Sequence, residues 1–426
     1  MITPLLTPRN GVPEFVSDES QFEKSIAELL NGIGPLAIDA ERSSGYRYSQ
    51  RAYLIQIYRK NGGIHLIDPI PLKNSKLWQK FNGEFSSFEW VIHASTQDLP
   101  CLIEVGLKPQ LLFDTELGAR IAGCERVGLG PLAESLLELQ LAKEHSAVDW
   151  SIRPLRPEWI NYAALDVDIL LDIRNAVEKL LIEQNKLKWA EQDFASILKN
   201  YEKYEFSDTP KPDRWRRTSG MHKVRDRLTM TIVRDLWLSR DELAREIDLA
   251  AGRVLGDDAI VELATKRPNN LEEVAKLIGR RTRLDAPPFN RWLKVLNLAL
   301  KTPIEEQPEL RVASQSLPPV KIWKDRNPLG YARLTHARAA LTELSAQIQI
   351  PTENLISPEF VRKICWQQPP AVISEYENFV NEQLEKMGAR PWQIELVTAA
   401  ICASLSQTEP LVVAEPIEAE SEPETE

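Results

Sequence analysis

Short apolar runs dominate the first 175 residues and then give way to long helical periodicity. Leu36 to Glu41, Tyr53 to Tyr58 and Ile64 to Ile67 are rich in apolar, β-branched or aromatic residues and closely spaced. That spacing predicts an antiparallel meander. Trp90 to Ile92 and Leu111 to Phe113 read as shorter buried strands. Between and after them, 3.6-residue periodicity predicts helices over Leu77 to Phe81, Gln97 to Glu104, Thr115 to Ile121, Leu129 to Leu139 and Pro157 to Leu171. Pro157 suits a first helical turn, where a missing N–H costs nothing. Strands interleaved with helices predict an α/β domain with a mixed sheet, bounded here at residues 14–205.

Beyond residue 205 the pattern changes. Pro210 and Pro212 break the chain within a basic linker, 206–221, and no strand is read after it. Helical runs follow over Val224 to Ile247, Asp257 to Thr265, Leu271 to Leu277 and Pro288 to Leu300, within an all-α module at 222–301. A proline-rich linker at 302–328 leads to a second helical module at 329–406. The two modules look alike: Arg253-Val254-Leu255-Gly256-Asp257 has its counterpart in Glu353-Asn354-Leu355-Ile356-Ser357. Each copy is followed by a short helix that stops at a proline, Pro268 or Pro369, and each module closes on a Trp-led helix, at Trp292 or Trp392. One repeat at this long spacing implies a duplicated module, since a solenoid would repeat more often. Residues 407–426 are acidic with few apolar side chains, the composition of a disordered tail.

Composition bounds the function. The 426 residues carry a formal net charge of −10, yet the seven glutamates from Glu409 to the end account for most of it and leave about −3 on the rest. Acidity is therefore a weak argument against a nucleic-acid substrate, because bound cations would supply positive potential locally. Cys101, Cys124, Cys365 and Cys402 are far apart, which disfavours a zinc site or a disulfide framework and fits a cytoplasmic protein. No signal peptide and no membrane span is read.

Four acids stand out as candidate chemistry. Asp39 and Glu41 sit two apart at the exit of an apolar strand, so their side chains share a face. Two carboxylates side by side repel unless a cation offsets them. Asp98 follows the strand ending at Ile92 and sits in the first turn of the next helix, where a negative group is favoured. Tyr162 and Asp166 are four apart on a helix and face one way. Clustered carboxylate oxygens suit hard divalent cations, and a pair of them ~4 Å apart can drive in-line attack on a phosphodiester.

These segments resemble the ribonuclease D branch of the DEDD, or DnaQ-like, 3′-5′ exonucleases. The resemblance rests on Ile38-Asp39-Ala40-Glu41, Tyr53-Leu54-Ile55-Gln56-Ile57, His93-Ala94-Ser95-Thr96-Gln97-Asp98-Leu99, Asp149-Trp150-Ser151-Ile152-Arg153-Pro154-Leu155 and Tyr162-Ala163-Ala164-Leu165-Asp166-Val167-Asp168, in the family's order and spacing. Where the family more often has Asp-Thr-Glu this chain has Asp-Ala-Glu, which keeps both acids. The resemblance implies a ribonuclease H-like α/β exonuclease domain followed by two HRDC-like helical modules. In the first module, Leu277-Ile278-Gly279-Arg280-Arg281 stands where many such domains carry a longer glycine hairpin.

By the same resemblance, Asp39, Glu41, Asp98 and Asp166 would hold two Mg²⁺ or Mn²⁺ ions. Asp39 would bridge them, Glu41 and Asp166 would serve the ion that activates water, and Asp98 the other. Tyr162 would orient the water, since a phenol with a pKa near ~10 is a poor base at neutral pH. The implied activity is release of 5′-mononucleotides from single-stranded RNA 3′ ends, with tRNA precursors as substrates and a monomer favoured. DNA is an alternative substrate, and a non-catalytic RNA-binding scaffold is a third reading. Nucleic-acid contacts are assigned to Gln56, His93 and Arg153, and to the basic stretch with Arg214, Trp215, Arg216, Arg217 and Lys223, whose composition suits phosphates and one stacked base. For Arg153 a surface ion pair weighs equally, and His93 is more simply a satisfied residue at a strand end.

Overall fold

The computed structural model describes residues 2–142, 147–204, 213–279, 282, 284, 286–310 and 317–411. The break at Pro210 and Pro212, the pair Arg280-Arg281 and the tail beyond residue 411 lie outside the described residues. Two compact units form, neither continuous in sequence: Met1–Glu116, Arg126–Glu178 and Ile197–Ala313 make one, and Leu117–Glu125, Lys179–Ser196 and Ser314–Glu426 the other.

The first elements are β1 (Thr3–Leu5), β2 (Phe15–Val16), α1 (Glu19–Leu30), β3 (Ile33–Arg42), β4 (Ala52–Lys60) and β5 (Gly63–Ile67). They are followed by α2 (Leu77–Phe85), β6 (Glu89–Ile92), α3 (Leu99–Glu104), β7 (Leu111–Asp114), α4 (Thr115–Ile121), α5 (Leu129–Leu137) and β8 (Leu139–Leu141). Then come α6 (Pro157–Asp168), α7 (Leu170–Glu183) and α8 (Leu187–Tyr201).

Six strands form a mixed sheet in the order β2-β5-β4-β3-β6-β7. The expected meander is present, with β3 and β4 antiparallel and β4 and β5 antiparallel. β3, β6 and β7 run parallel to their neighbours in that half of the sheet. Leu36, Ala37 and Ile38 of β3 and Leu54 to Ile57 of β4 are all without exposed surface. Runs buried on both faces of this kind mark the centre of a covered sheet. Since β3 and β6 are parallel, their C-terminal ends open on the same edge, the edge where open α/β sheets place their ligands.

Helix α6 packs on the meander through Trp159, Ala163 and Ala164, which share a core with Tyr53, Leu54, Leu66 and Trp150. Two consecutive alanines let the helix backbone approach the sheet closely. The helix expected over Pro157 to Leu171 is two helices, with Ile169 between them. The helix expected to reach Leu139 ends at Leu137: Glu138 turns left-handed at φ 55°, and Leu139–Leu141 pairs in parallel with β1.

The first helical module contains α9 (Arg227–Glu246), α10 (Ala251–Val254), α11 (Asp257–Lys266), α12 (Leu271–Ile278) and α13 (Phe289–Ala299). Its core gathers Ile232, Val233, Leu236, Trp237, Leu263, Val274, Trp292 and Leu296, and also Trp215 from the preceding segment. The second helical stretch runs α14 (Trp323–Arg326), α15 (Pro328–Ile348), α16 (Thr352–Leu355), α17 (Pro358–Trp366), α18 (Tyr376–Lys386) and α19 (Pro391–Leu405). The paired segments at Arg253 and Glu353 each overlap a short helix, α10 or α16, that the sequence pattern had not assigned as helix. Trp237, Trp292 and Trp392 are buried, while Trp366 is half-buried edge-on to Trp323.

Candidate active site

A cleft of about 490 Å³ opens at the C-terminal ends of β3 and β6, and Asp39, Glu41, Asp98, Tyr162 and Asp166 all line it. β3 brings the first pair: Asp39 lies opposite Gln56 and Glu41 opposite Leu54. The turn after β6 brings Asp98, which occupies the N-cap of α3 without making a side-chain capping bond. Asp98 therefore sits one position before the first helical turn and not within that turn, the place the sequence had given it. That turn passes through Ala94 with φ 54°, a left-handed conformation costly for a residue with a Cβ. Asp114 at the end of β7 steadies the turn, accepting hydrogen bonds from Ser95 N at 2.8 Å and Ser95 Oγ at 2.6 Å. Helix α6 supplies Tyr162 and Asp166, whose side chains hydrogen-bond each other.

The acids converge. Carboxylate oxygens of Asp39, Glu41 and Asp166 lie within 4.8 Å of one another. Asp98 and Asp39 lie within hydrogen-bonding reach of each other. Burial, and then repulsion from Asp39, Asp166 and Asp98, pushes Glu41 well above the usual carboxylate range. Asp98 is driven well up by burial and by the charge of Asp39. Asp39 is raised by burial, against relief from the Ala40 N–H, the Asp98 carboxyl and Arg42. Burial and the charges of Asp166, Glu41 and Asp39 push the Tyr162 phenol above its ordinary value, so it stays protonated and donates.

This set fits hard divalent cations. The donors are carboxylate oxygens alone, which suit Mg²⁺ or Mn²⁺. Four acids repelling one another, three of them buried and Asp39 half-buried, also call for positive charge at their common centre.

Residues 13–182 match the family described as a 3′-5′ exonuclease, residues 230–285 the HRDC domain, and residues 316–405 the 3′ to 5′ exonuclease C-terminal domain. The helices after residue 316 thus match a different family from those before residue 285. Among curated proteins, Ribonuclease D of Desulfotalea psychrophila is 26% identical over 61% of this chain and 68% of its own length. Ribonuclease D of Acidiphilium cryptum is 28% identical over 70% of this chain and 74% of its own. A crystal structure of a protein from Bifidobacterium adolescentis is 35% identical, covers 95% of this chain and all of its own, and superposes with a TM-score of 0.85. The chain is built of a 3′-5′ exonuclease domain, an HRDC domain and the exonuclease C-terminal domain, and it is similar to ribonuclease D. It is a 3′-5′ exonuclease. The structure of Escherichia coli RNase D shares the fold at 20% identity, covering 92% of this chain and 98% of its own with a TM-score of 0.60.

In this ribonuclease D fold, several residues expected at the nucleic acid are engaged elsewhere. Gln56 is fully buried, and its Nε2 donates to Asp39 Oδ2 at 3.3 Å, so it holds an acid rather than RNA. Arg153 is a structural clamp. Its Nε and Nη2 donate to Asp68 at 2.6 and 2.9 Å, and its other N–H groups go to the carbonyls of Trp150, Ile152 and Tyr53. A guanidinium has five N–H donors, and here each has a partner. Trp215 is 5% exposed within the helical core, with the Arg216 guanidinium over its ring at 4.3 Å, so it offers no stacking face. Arg216 itself donates to the Glu309 carbonyl at 2.9 Å. Arg214, Arg217 and Lys223 are exposed. His93 lines the cleft with Nδ1 2.9 Å from Thr115 Oγ1, which is the satisfied strand-end histidine of the simpler reading.

Sequence reasoning missed Arg42, Ser95 and Asp114. It also missed the contribution of the first helical module. Asp248 accepts from Ser49 N at 2.8 Å and from the hydroxyls of Ser49 and Tyr53, and Arg253 Nε donates to Gly45 O at 2.7 Å. The Arg253 guanidinium also lies 4.1 Å from the centre of the Tyr46 ring. Gly45 and Tyr46 line the cleft, so a helical module braces its wall. The signal available in sequence was the polar, aromatic run from Ser43 to Ser49 directly after Glu41.

Proposed function

We propose that this protein trims RNA from its 3′ end and releases 5′-mononucleotides, with precursors of structured RNA such as tRNA as substrates and with two Mg²⁺ or Mn²⁺ ions. The observation that carries the reading is the meeting of three carboxylates within 4.8 Å, beside Asp98 and a protonated tyrosine. The relatives' name supports RNA, as does the description of the E. coli structure as an exoribonuclease involved in structured RNA processing. Among the described residues no helix is long and apolar enough to cross a membrane, in keeping with work on cytoplasmic RNA.

Asp39 is assigned to both ions, Glu41 and Asp166 to one, and Asp98 to the other. When bound, the ions would activate a water and stabilise the leaving 3′ oxygen. Gln56 holds one Asp39 oxygen in place from the floor of the sheet. The Tyr162 hydroxyl, held by Asp166, orients the attacking water by hydrogen bonding and takes no proton. Exposed Arg214, Arg217 and Lys223 are assigned to phosphates further along the strand.

Purified protein with Mg²⁺ and a single-stranded RNA should release 5′-mononucleotides from the 3′ end, and Asp39→Ala should lower kcat at least ~10²-fold, in line with removal of a major electrostatic group. Release undiminished by Asp39→Ala would overturn the assignment. A DNA strand of the same sequence, in competition, decides the substrate, because only RNA offers the 2′-hydroxyl.

A further inference from the structure

Arg42 directly follows Glu41, so strict alternation along β3 would send it to the opposite face. The pairing shifts at this point: Glu41 lies opposite Leu54 and Arg42 opposite Ala52, which leaves Tyr53 as the extra residue of a bulge. Bulges re-aim side chains, often beside active sites. Arg42 nonetheless lines the same cleft as Glu41. Its Nη2 is 3.7 Å from Asp98 Oδ1 and 3.4 Å from Gln97 Oε1, and the side chain is 26% exposed. Both contacts are long for a guanidinium whose planar fork matches the geometry of a phosphate.

Charge balance gives this cation a task. Four carboxylates and two divalent ions cancel. A phosphodiester adds one negative charge, and a second gathers on its non-bridging oxygens as water adds to phosphorus. A guanidinium in the cleft wall answers that charge where it develops.

We propose that Arg42 is a catalytic residue that contacts the scissile phosphate and stabilises its non-bridging oxygens; the proposal rests on the exonuclease reading of the same cleft. In the hydrolysis, the water oxygen bonds to phosphorus, the bond from phosphorus to the 3′ oxygen breaks, and a water proton ends on that oxygen. Arg42 keeps its protons throughout and acts as a donor.

The test uses the full chain as wild type, Arg42→Gln and Arg42→Lys. Three quantities are measured: kcat and KM on single-stranded RNA, affinity for a nucleoside 5′-monophosphate against the bare nucleoside at saturating Mn²⁺, and affinity for Mn²⁺ alone. Arg42→Gln should lose ~10- to 100-fold in kcat/KM and should bind the monophosphate more weakly, with nucleoside binding unchanged. Arg42→Lys should recover part of both, as a point charge without the fork. Mn²⁺ affinity should hold or tighten once a neighbouring positive charge is gone. A variant with wild-type kcat/KM and monophosphate affinity overturns the assignment, and so does a variant whose only loss is Mn²⁺ affinity, since Arg42 would then merely position Asp98. A wild type that degrades neither RNA nor DNA overturns the exonuclease reading instead, whatever Arg42 does.

Discussion

Tyr162 shows how far an environment can fix one side chain's role. Burial and three acids keep its phenol protonated, so it donates a hydrogen bond at any physiological pH. Tyr162→Phe should lower kcat about 10-fold or more with little change in KM, the scale of one hydrogen bond to a charged or polarised group. The alkaline limb of the pH–rate profile should not move, because no titrating phenol is removed. Glu41 allows a sharper pH prediction. Its folded pKa lies above that of an ordinary carboxylate, so the folded chain holds a proton that the unfolded chain releases. Its contribution is favourable at low pH and is lost as pH rises through the folded pKa. In buffer free of divalent ions, Glu41→Gln should therefore be more stable than wild type at neutral pH, and the difference should shrink toward pH 4. Urea unfolding across that range reads it directly. Equal stability of the two proteins at neutral pH would mean that the acids do not repel as placed.

At the scale of elements, patterning was legible wherever a short apolar run was long enough to be a strand. β3, β4, β5, β6 and β7 lie where the pattern put them, within a few residues. Helix α1 was legible and not read: Asp18 and Gln21 form a capping box, and Phe22, Ile26 and Leu29 make its buried stripe. Pairings between distant segments, such as β1 with β8, leave no local signal. The brace on the cleft wall belongs to the same class. The Asp248 carboxylate is raised by burial but lowered more by its bonds from Ser49 and by nearby arginine charge, for a net fall. Its support is thus present above the usual aspartate range and lost as pH falls through the folded pKa. Asp248→Ala should destabilise the fold by roughly 1–3 kcal/mol through the stranded Ser49 N–H. It should also raise KM for RNA more than it lowers kcat, because the wall it steadies carries no reacting group. A mutant with unchanged KM would show that the brace does not shape the cleft.

For the whole molecule, the strongest handle is the linkage between divalent ions and stability. A ligand that binds only the folded chain stabilises it by about 2.7 kcal/mol at a hundredfold excess over its Kd. Mn²⁺ or Mg²⁺ should raise the melting temperature, and Asp166→Asn should abolish most of the rise. Calorimetry with and without the ions checks this, and an Asp166→Asn protein that keeps the full shift would place the ions elsewhere. The acidic net charge does not conflict with such chemistry, since seven glutamates fall at the C-terminal end, remote in sequence from the four acids. The sequence by itself nominated the candidates: residue types, order and local spacing singled out Asp39, Glu41, Asp98, Tyr162 and Asp166, and the family resemblance supplied the roles expected of them. Those spacings are set by backbone geometry of periods 2 and 3.6, which local sequence encodes. Only the tertiary structure decided which other polar groups join them. Gln56 and Arg153 became buried supports, Trp215 entered a core, and Arg42 turned into the cleft, because burial, bulges and contacts between distant segments arise only when the chain closes on itself.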